Sequence, residues 1–309
     1  MHPGVRQYLN VLLGVLAGCI VCHVNFKPII KDDPHCLIRN VSTSERKPRI
    51  LCYLNTYPGN YEKKAIHVQN TWARRCDRHF FTSTVKHEKL SIMMLNMTEP
   101  EVRKHLWVKM RKILRQLYLF ADEYDYFFKA DDDTYAVVEN LREAVKSHSP
   151  NFPFMVGHKW HVLCPGGYFS GGAGYLLSRA ALKRIVELAI DKHPACPTID
   201  EDKEDVKMCL CGQAVGVRLL EKFGETGVSL FYPYELQRYF KKQKSSKFKN
   251  DRSKNVFPYM RRDKMGFSSK HISFHYVNDT AMYITEFLLY YLDPYQPMTN
   301  SSKAMRPSA

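Results

Sequence analysis

The chain has 309 residues, 45% of them hydrophobic and 13% aromatic, enough apolar side chain to bury a full core in one large domain. Its net charge of +15 would ordinarily raise a nucleic-acid partner. Much of the excess lies in 238–264, a polar Lys- and Ser-rich stretch without a nucleic-acid motif, so that class is set aside in favour of a solvated loop or a surface for acidic glycans, phosphates or lipid head groups.

In chain order, residues 8–24 are apolar apart from Asn10 and His23, with Arg6 before them and Lys27 and Lys31 after. This predicts a cytoplasmic tail over 1–7, an uncleaved signal-anchor helix over 8–26 and a stem over 27–48 that carries Pro28, Pro34 and Pro48. A cleaved signal peptide is the alternative, because the apolar run is short for a full span. Either version delivers the rest of the chain to the secretory lumen. The acceptor triplets for N-glycosylation at Asn40, Asn96, Asn278 and Asn300 agree with that. Seven cysteines lie beyond the anchor, and an oxidising compartment would pair most of them, leaving one over that could link two chains. Cys209-Leu210-Cys211 is too tightly spaced for a zinc knuckle.

The folded part is expected over 49–295, with a flexible tail over 296–309. Residues 50–54 read as a buried strand, followed by a turn at Pro58-Gly59-Asn60 and an amphipathic helix over 62–75 with Ala65, Val68 and Trp72 on one face. Further strands are predicted at 80–83 and 91–95. A long helix is predicted over 106–123, with Leu106, Ile113, Leu117 and Phe120 inward. This alternation implies an α/β fold with a mostly parallel central sheet flanked by helices.

The aromatic strand at Tyr124, Tyr126, Phe127 and Phe128 ends in Asp131-Asp132-Asp133. Acids there sit at the carboxyl edge of a sheet, where alternate carboxylates suit Mn²⁺ or Mg²⁺ and leave room for a diphosphate. The plainer alternative is an acidic turn capping a helix that begins near Tyr135. A calcium loop is excluded, because Ala136 and Arg142 stand where it needs Gly and Glu. The glycine run 168–178 lets backbone approach a ligand closely but lacks the spacing of a P-loop or a dinucleotide fingerprint, and a helix is predicted after it over 179–190. The acidic run 200–205 precedes a helix over 206–215 and offers a general base or ordinary helix-dipole partners. His275, in a predicted strand over 272–277, is either a satisfied core residue or a third metal ligand.

Taken together, the segments 129–135, 168–178, 204–206 and 273–277, with Thr71-Trp72-Ala73, Arg75-Cys76 and 286–295, resemble in order and spacing the core 1 β1,3-galactosyltransferases, relatives of the Fringe enzymes. The resemblance implies a GT-A-type catalytic domain in a Golgi, single-pass type II membrane protein that is a homodimer. It implies transfer of galactose from UDP-galactose, with inversion, to the 3-hydroxyl of O-linked N-acetylgalactosamine on glycoproteins. By the same resemblance Asp131, Asp133 and His275 hold Mn²⁺, Arg103, Lys109 and Tyr276 meet the UDP, and Asn55 lies near the uracil. A carboxylate then deprotonates the attacking hydroxyl.

The chain departs from the family pattern at the base, where an acidic stretch is replaced by 219–224, leaving Glu221 or Asp205 as candidates. It also departs at the acceptor region, where 255–262 carries no Trp on which a sugar ring could stack. The family's adjacent cysteine pair is Ser268-Ser269 here, and Cys164 and Cys209 are additions. Cys52 with Cys76 and Cys196 with Cys211 are candidate bridges, and the sequence leaves the connectivity open. These departures keep two alternatives open: a transferase of other donor or acceptor specificity, and a non-catalytic glycan-binding relative.

Overall fold

The computed structural model describes residues 46–224, 227–236 and 268–292. The expected tail, anchor helix and nearly all of the stem lie outside the described residues, as do the basic stretch 238–264, the segment 255–262 and the tail 296–309. Among the described residues no helix is long and apolar enough to cross a membrane.

A seven-stranded mixed sheet forms the centre of an α/β fold, in the order β10-β6-β9-β4-β1-β2-β3. The strands are β1 (Ile50–Asn55), β2 (Arg78–Ser83), β3 (Ile92–Met94), β4 (Tyr126–Asp131), β6 (Phe154–Gly157), β9 (Tyr175–Ser178) and β10 (Arg218–Leu220). Pairs β1/β2, β1/β4, β2/β3 and β6/β10 are parallel, whereas β9 runs antiparallel to both β4 and β6. Successive side chains of β1 go to opposite faces, Ile50, Cys52 and Leu54 to one core and Leu51 and Tyr53 to the other. Both faces are covered, which is why β1 and β4 read as nearly continuous apolar runs.

One core receives Val68 of α1 (Ile66–Asn70), Leu141 of α3 (Val138–Val145) and Met282 of α6 (Asp279–Tyr290). The other receives Trp107, Ile113 and Leu117 of α2 (Leu106–Tyr118), Leu182 of α4 (Arg179–Arg184) and Met208 of α5 (Glu204–Ala214). The helix expected over 62–75 is broken into a π-turn, α1 and a 3-10 turn. At the break the Thr71 hydroxyl donates to the His67 carbonyl at 2.7 Å, and Trp72 turns inward so that its indole N–H reaches the Thr134 carbonyl at 2.8 Å. The helix of 106–123 stops at Tyr118, and that of 179–190 passes into a π-turn at Ile185–Ala189.

A smaller sheet decides where the site forms. In it β12 (Ser273–Phe274) pairs parallel with β11 (Phe231–Tyr232) and antiparallel with β5 (Tyr135–Ala136), the two residues found where the acidic turn was expected to enter a helix. The strand expected over 272–277 is therefore only Ser273–Phe274. Its continuation is stitched to the acids instead, the Val277 N–H donating to the Asp133 carbonyl at 2.9 Å. A hairpin of β7 (Lys159–Trp160) and β8 (Tyr168–Phe169) flanks this region.

Disulfides join Cys52 to Cys76 and Cys196 to Cys211. The thiols of Cys164 and Cys209 are free, the latter buried and accepting the Phe169 N–H.

Candidate metal centre and its surroundings

Asp131 ends β4, Asp133 lies two residues on and His275 follows β12. One ligand atom from each lies within 4.8 Å of the others. His275 Nε2 is 3.2 Å from Asp133 Oδ1, and its Nδ1 is 3.3 Å from the Pro233 carbonyl. A carbonyl only accepts, so Nδ1 carries a proton, and Nε2 is the ring nitrogen left to serve as a metal ligand in the neutral imidazole. The three groups form a candidate cation site. Their spacing suits neighbours in one coordination shell, about 3 Å apart when metal–ligand bonds are about 2.1 Å. Two carboxylates and an imidazole form a donor set suited to Mn²⁺ or Mg²⁺.

The glycine turn makes room for this arrangement. A Cβ on Gly172 would overlap the His275 ring, and one on Gly174, where φ is +79°, would meet the Lys129 carbonyl at 2.7 Å. Thr134 ties the turn to the acids, its hydroxyl donating to the Gly172 carbonyl at 2.8 Å while its N–H donates to the Asp131 carbonyl at 3.1 Å.

The middle acid is not part of the trio and shares Lys64 with Asp133, its own Oδ1 lying 3.7 Å from the ammonium. Asp132 is buried and accepts from the Thr56 hydroxyl and the Asn60 amide, each at 2.8 Å. Burial raises its carboxyl to about 6 against those hydrogen bonds. For Asp133, burial is outweighed by His275 and Lys64, and the carboxyl is held at about 2. The Lys64 ammonium lies 2.9 Å from Asp133 Oδ2.

Sequence reasoning missed the residues behind the trio. Lys129 is fully buried, and its Nζ contacts Asp131 Oδ1 at 2.7 Å, the Gly171 carbonyl at 2.9 Å and Glu204 Oε1 at 3.2 Å. Burial opposes its charge, yet Asp131 and Glu204 prevail and raise its pKa. Glu204 also accepts from the Tyr175 hydroxyl at 3.0 Å, and burial lifts it to about 7 in spite of Lys129. The signal was available in strand alternation, since Lys129 and Asp131 share one face of β4, but the partner Glu204 lies far along the chain.

The other expected site residues are dispersed around this centre. Asn55 is paired in register with Asp131, and its Oδ1 is buried without a hydrogen-bond partner among the described residues. Tyr276 stacks on His275 with ring centroids 3.7 Å apart, and is 58% exposed with φ +58°. Lys109 is buried, paired with Glu101 at 2.7 Å and donating to the Thr56 carbonyl. Arg103 extends into solvent and pairs with Asp202 at 3.4 Å. Asp205 is held behind the glycine turn by the Gly171 N–H at 3.0 Å and its neighbour Val206 at 2.9 Å, and burial raises its pKa. Glu221 is bound instead to the hairpin, 3.2 Å from Lys159.

The three candidate ligands thus gather at the carboxyl edge of the central sheet, the edge at which open α/β folds take up their ligands. Glycoprotein-N-acetylgalactosamine 3-beta-galactosyltransferase 1 of Xenopus laevis is 33% identical over 255 residues, which cover 80% of this chain and 68% of that protein. The chain belongs to the core 1 β1,3-galactosyltransferase family of glycosyltransferases. No protein-family model matches it. Among solved structures, a glycosyltransferase involved in glycosylation of the major capsid of PBCV-1 is similar over 58% of this chain and 84% of its own, at 15% identity and a TM-score of 0.37. A197 from STIV is similar over 60% and 90% respectively, at 14% identity and a TM-score of 0.31. At such scores neither structure carries weight.

Proposed function

We propose that the protein is a GT-A-type inverting transferase that moves galactose from UDP-galactose to the 3-hydroxyl of O-linked N-acetylgalactosamine on glycoproteins. It would act in the Golgi lumen, anchored through residues 8–26 as a single-pass type II membrane protein and paired as a homodimer. The carrying observation is the convergence of Asp131, Asp133 and His275 at the sheet edge in a member of this family.

Those three residues would hold Mn²⁺, whose charge offsets that of the leaving diphosphate. The Pro233 carbonyl fixes the His275 tautomer needed for this. Asn55, next to Asp131 in register, has a free acceptor for a base N–H, and Tyr276 offers an exposed ring beside His275. By the family resemblance Arg103 and Lys109 would add positive charge for the UDP, each exchanging its present partner, Asp202 and Glu101, for the diphosphate. Asp205 is the better-supported base, because its raised pKa favours taking a proton from an acceptor hydroxyl.

Purified full-length protein with Mn²⁺ should transfer galactose from UDP-galactose to an O-linked N-acetylgalactosamine peptide. Asp133→Ala and His275→Ala should each abolish this, and unchanged turnover in both would refute the site. A panel of UDP-sugars and acceptor glycans tests whether donor or acceptor differs. The pairing of Glu221 with Lys159 and of Asp205 with two N–H groups favours a second reading, a relative that binds UDP and Mn²⁺ without turnover, and calorimetry beside the transfer assay separates the two.

A further inference from the structure

We infer that Lys129 is a positioning residue for the metal centre, an internal ammonium that sets the Asp131 carboxylate and the Gly171–Gly174 turn against each other without touching the ion. The inference rests on the proposed Asp131, Asp133 and His275 ligand set and deepens it.

Three bonds from one buried atom carry the argument. Lys129 Nζ holds Asp131 Oδ1 at 2.7 Å, which fixes how that carboxylate presents itself. It also holds the Gly171 carbonyl at 2.9 Å, which fixes the start of the turn whose next residue, Gly172, leaves space for the His275 ring. The remaining bond, to Glu204 Oε1 at 3.2 Å, anchors the ammonium to α5, and Tyr175 on β9 fixes the other Glu204 oxygen. Two ligands that lie far apart in the sequence thus take their placement from one side chain. The packing leaves no slack, since a Cβ on Gly171 would stand 2.8 Å from Glu204 Oε1 and 3.3 Å from Lys129 Nζ.

A double variant avoids stranding Glu204. Lys129→Met alone leaves Glu204 buried and uncompensated, which destabilises the fold and alters the field at Asp131. Lys129→Met with Glu204→Gln removes the ammonium together with the acid it would strand, so no buried carboxylate is left unpaired there and the loss of positioning remains. Removing partners that orient metal ligands lowers metal affinity by about 10- to 100-fold.

The test titrates Mn²⁺ into the full-length protein, reading free ion by electron paramagnetic resonance, with thermal midpoints taken without metal. The double variant should bind Mn²⁺ about tenfold or more weaker than the parent. Leu141→Ala, a core truncation on the opposite face of the sheet, should lower the midpoint while leaving affinity intact. Affinity in the double variant within about twofold of the parent, or an equal loss in Leu141→Ala, overturns the role of Lys129. Should the double variant fail to fold, Gly171→Ala keeps every charge, crowds first Glu204 Oε1 and then Lys129 Nζ from the turn side, and should weaken Mn²⁺ binding; unchanged affinity there also overturns it. A parent that binds no Mn²⁺ overturns the metal centre itself and Lys129 with it, an outcome distinct from the others.

Discussion

At Gly172 the absence of a methyl group decides where an imidazole stands. A Cβ at that position would fall inside the space of the His275 ring, and the ring is bounded on its other sides by Tyr276 and the Pro233 carbonyl. Gly172→Ala is therefore expected to drive His275 away from Asp133 and weaken Mn²⁺ binding by about tenfold or more, with a smaller effect on global stability. Metal titration beside a melting curve checks this, and unchanged affinity would show that the ring does not contribute a ligand. His275, Asp131 and Asp133 were legible because a run of acids at the end of an apolar strand, and a histidine inside another, each stand out locally. Lys129 was not, since a lysine within an aromatic strand is explained only by Glu204, a partner brought near by the fold. Glu221 shows the converse. It lies where a base was expected from the resemblance, and its ion pair with Lys159 became visible only when β10 and the hairpin were set side by side.

Among elements, α6 is fastened by one buried carboxylate. Glu286 accepts two bonds from Arg75, at 2.9 and 2.6 Å, one from Arg74 at 3.0 Å and one from the Tyr135 hydroxyl at 2.8 Å. Burial opposes its ionisation, but Arg75 and Tyr135 outweigh that and lower its pKa below the ordinary 4.5. Because the folded value is the lower one, this stabilisation is present above the unfolded pKa and is lost as pH falls through the folded value. Glu286→Gln is expected to cost about 3 kcal/mol near neutral pH, less in acid, read as a shift in denaturation midpoint at both pH values. The long helices were legible by their apolar spacing. Their ends were not, because Thr71 and Trp72 break a regular pattern for the sake of hydrogen bonds to distant backbone. The strand expected through 277 fails likewise: His275 and Tyr276 leave the ladder to meet Asp133 and solvent.

Across the molecule, both cores depend on β1, and the bridge from Cys52 on that strand to Cys76 spans a sequence separation of 24. Cys76→Ser should cost about 3 kcal/mol, measured by chemical denaturation, and no change in midpoint would show the bridge to be dispensable. The α/β class and the coverage of the sheet on both faces were legible from alternating strands and helices. The small sheet β11-β12-β5 was not, since two-residue strands leave no periodicity to find. One further property follows from the heading of β9. Because it travels against β4 and β6, its first residue, Tyr175, pairs with Lys129 and Gly157 near the exits of those strands, and the loop that feeds it arrives directly over the acids. Reversed, the same letters would deliver that loop to the far rim, a strand of four residues away, with every candidate ligand intact and none in reach of the glycine turn. Transplanting this chemistry into another scaffold would thus require copying a compass bearing as well as a motif.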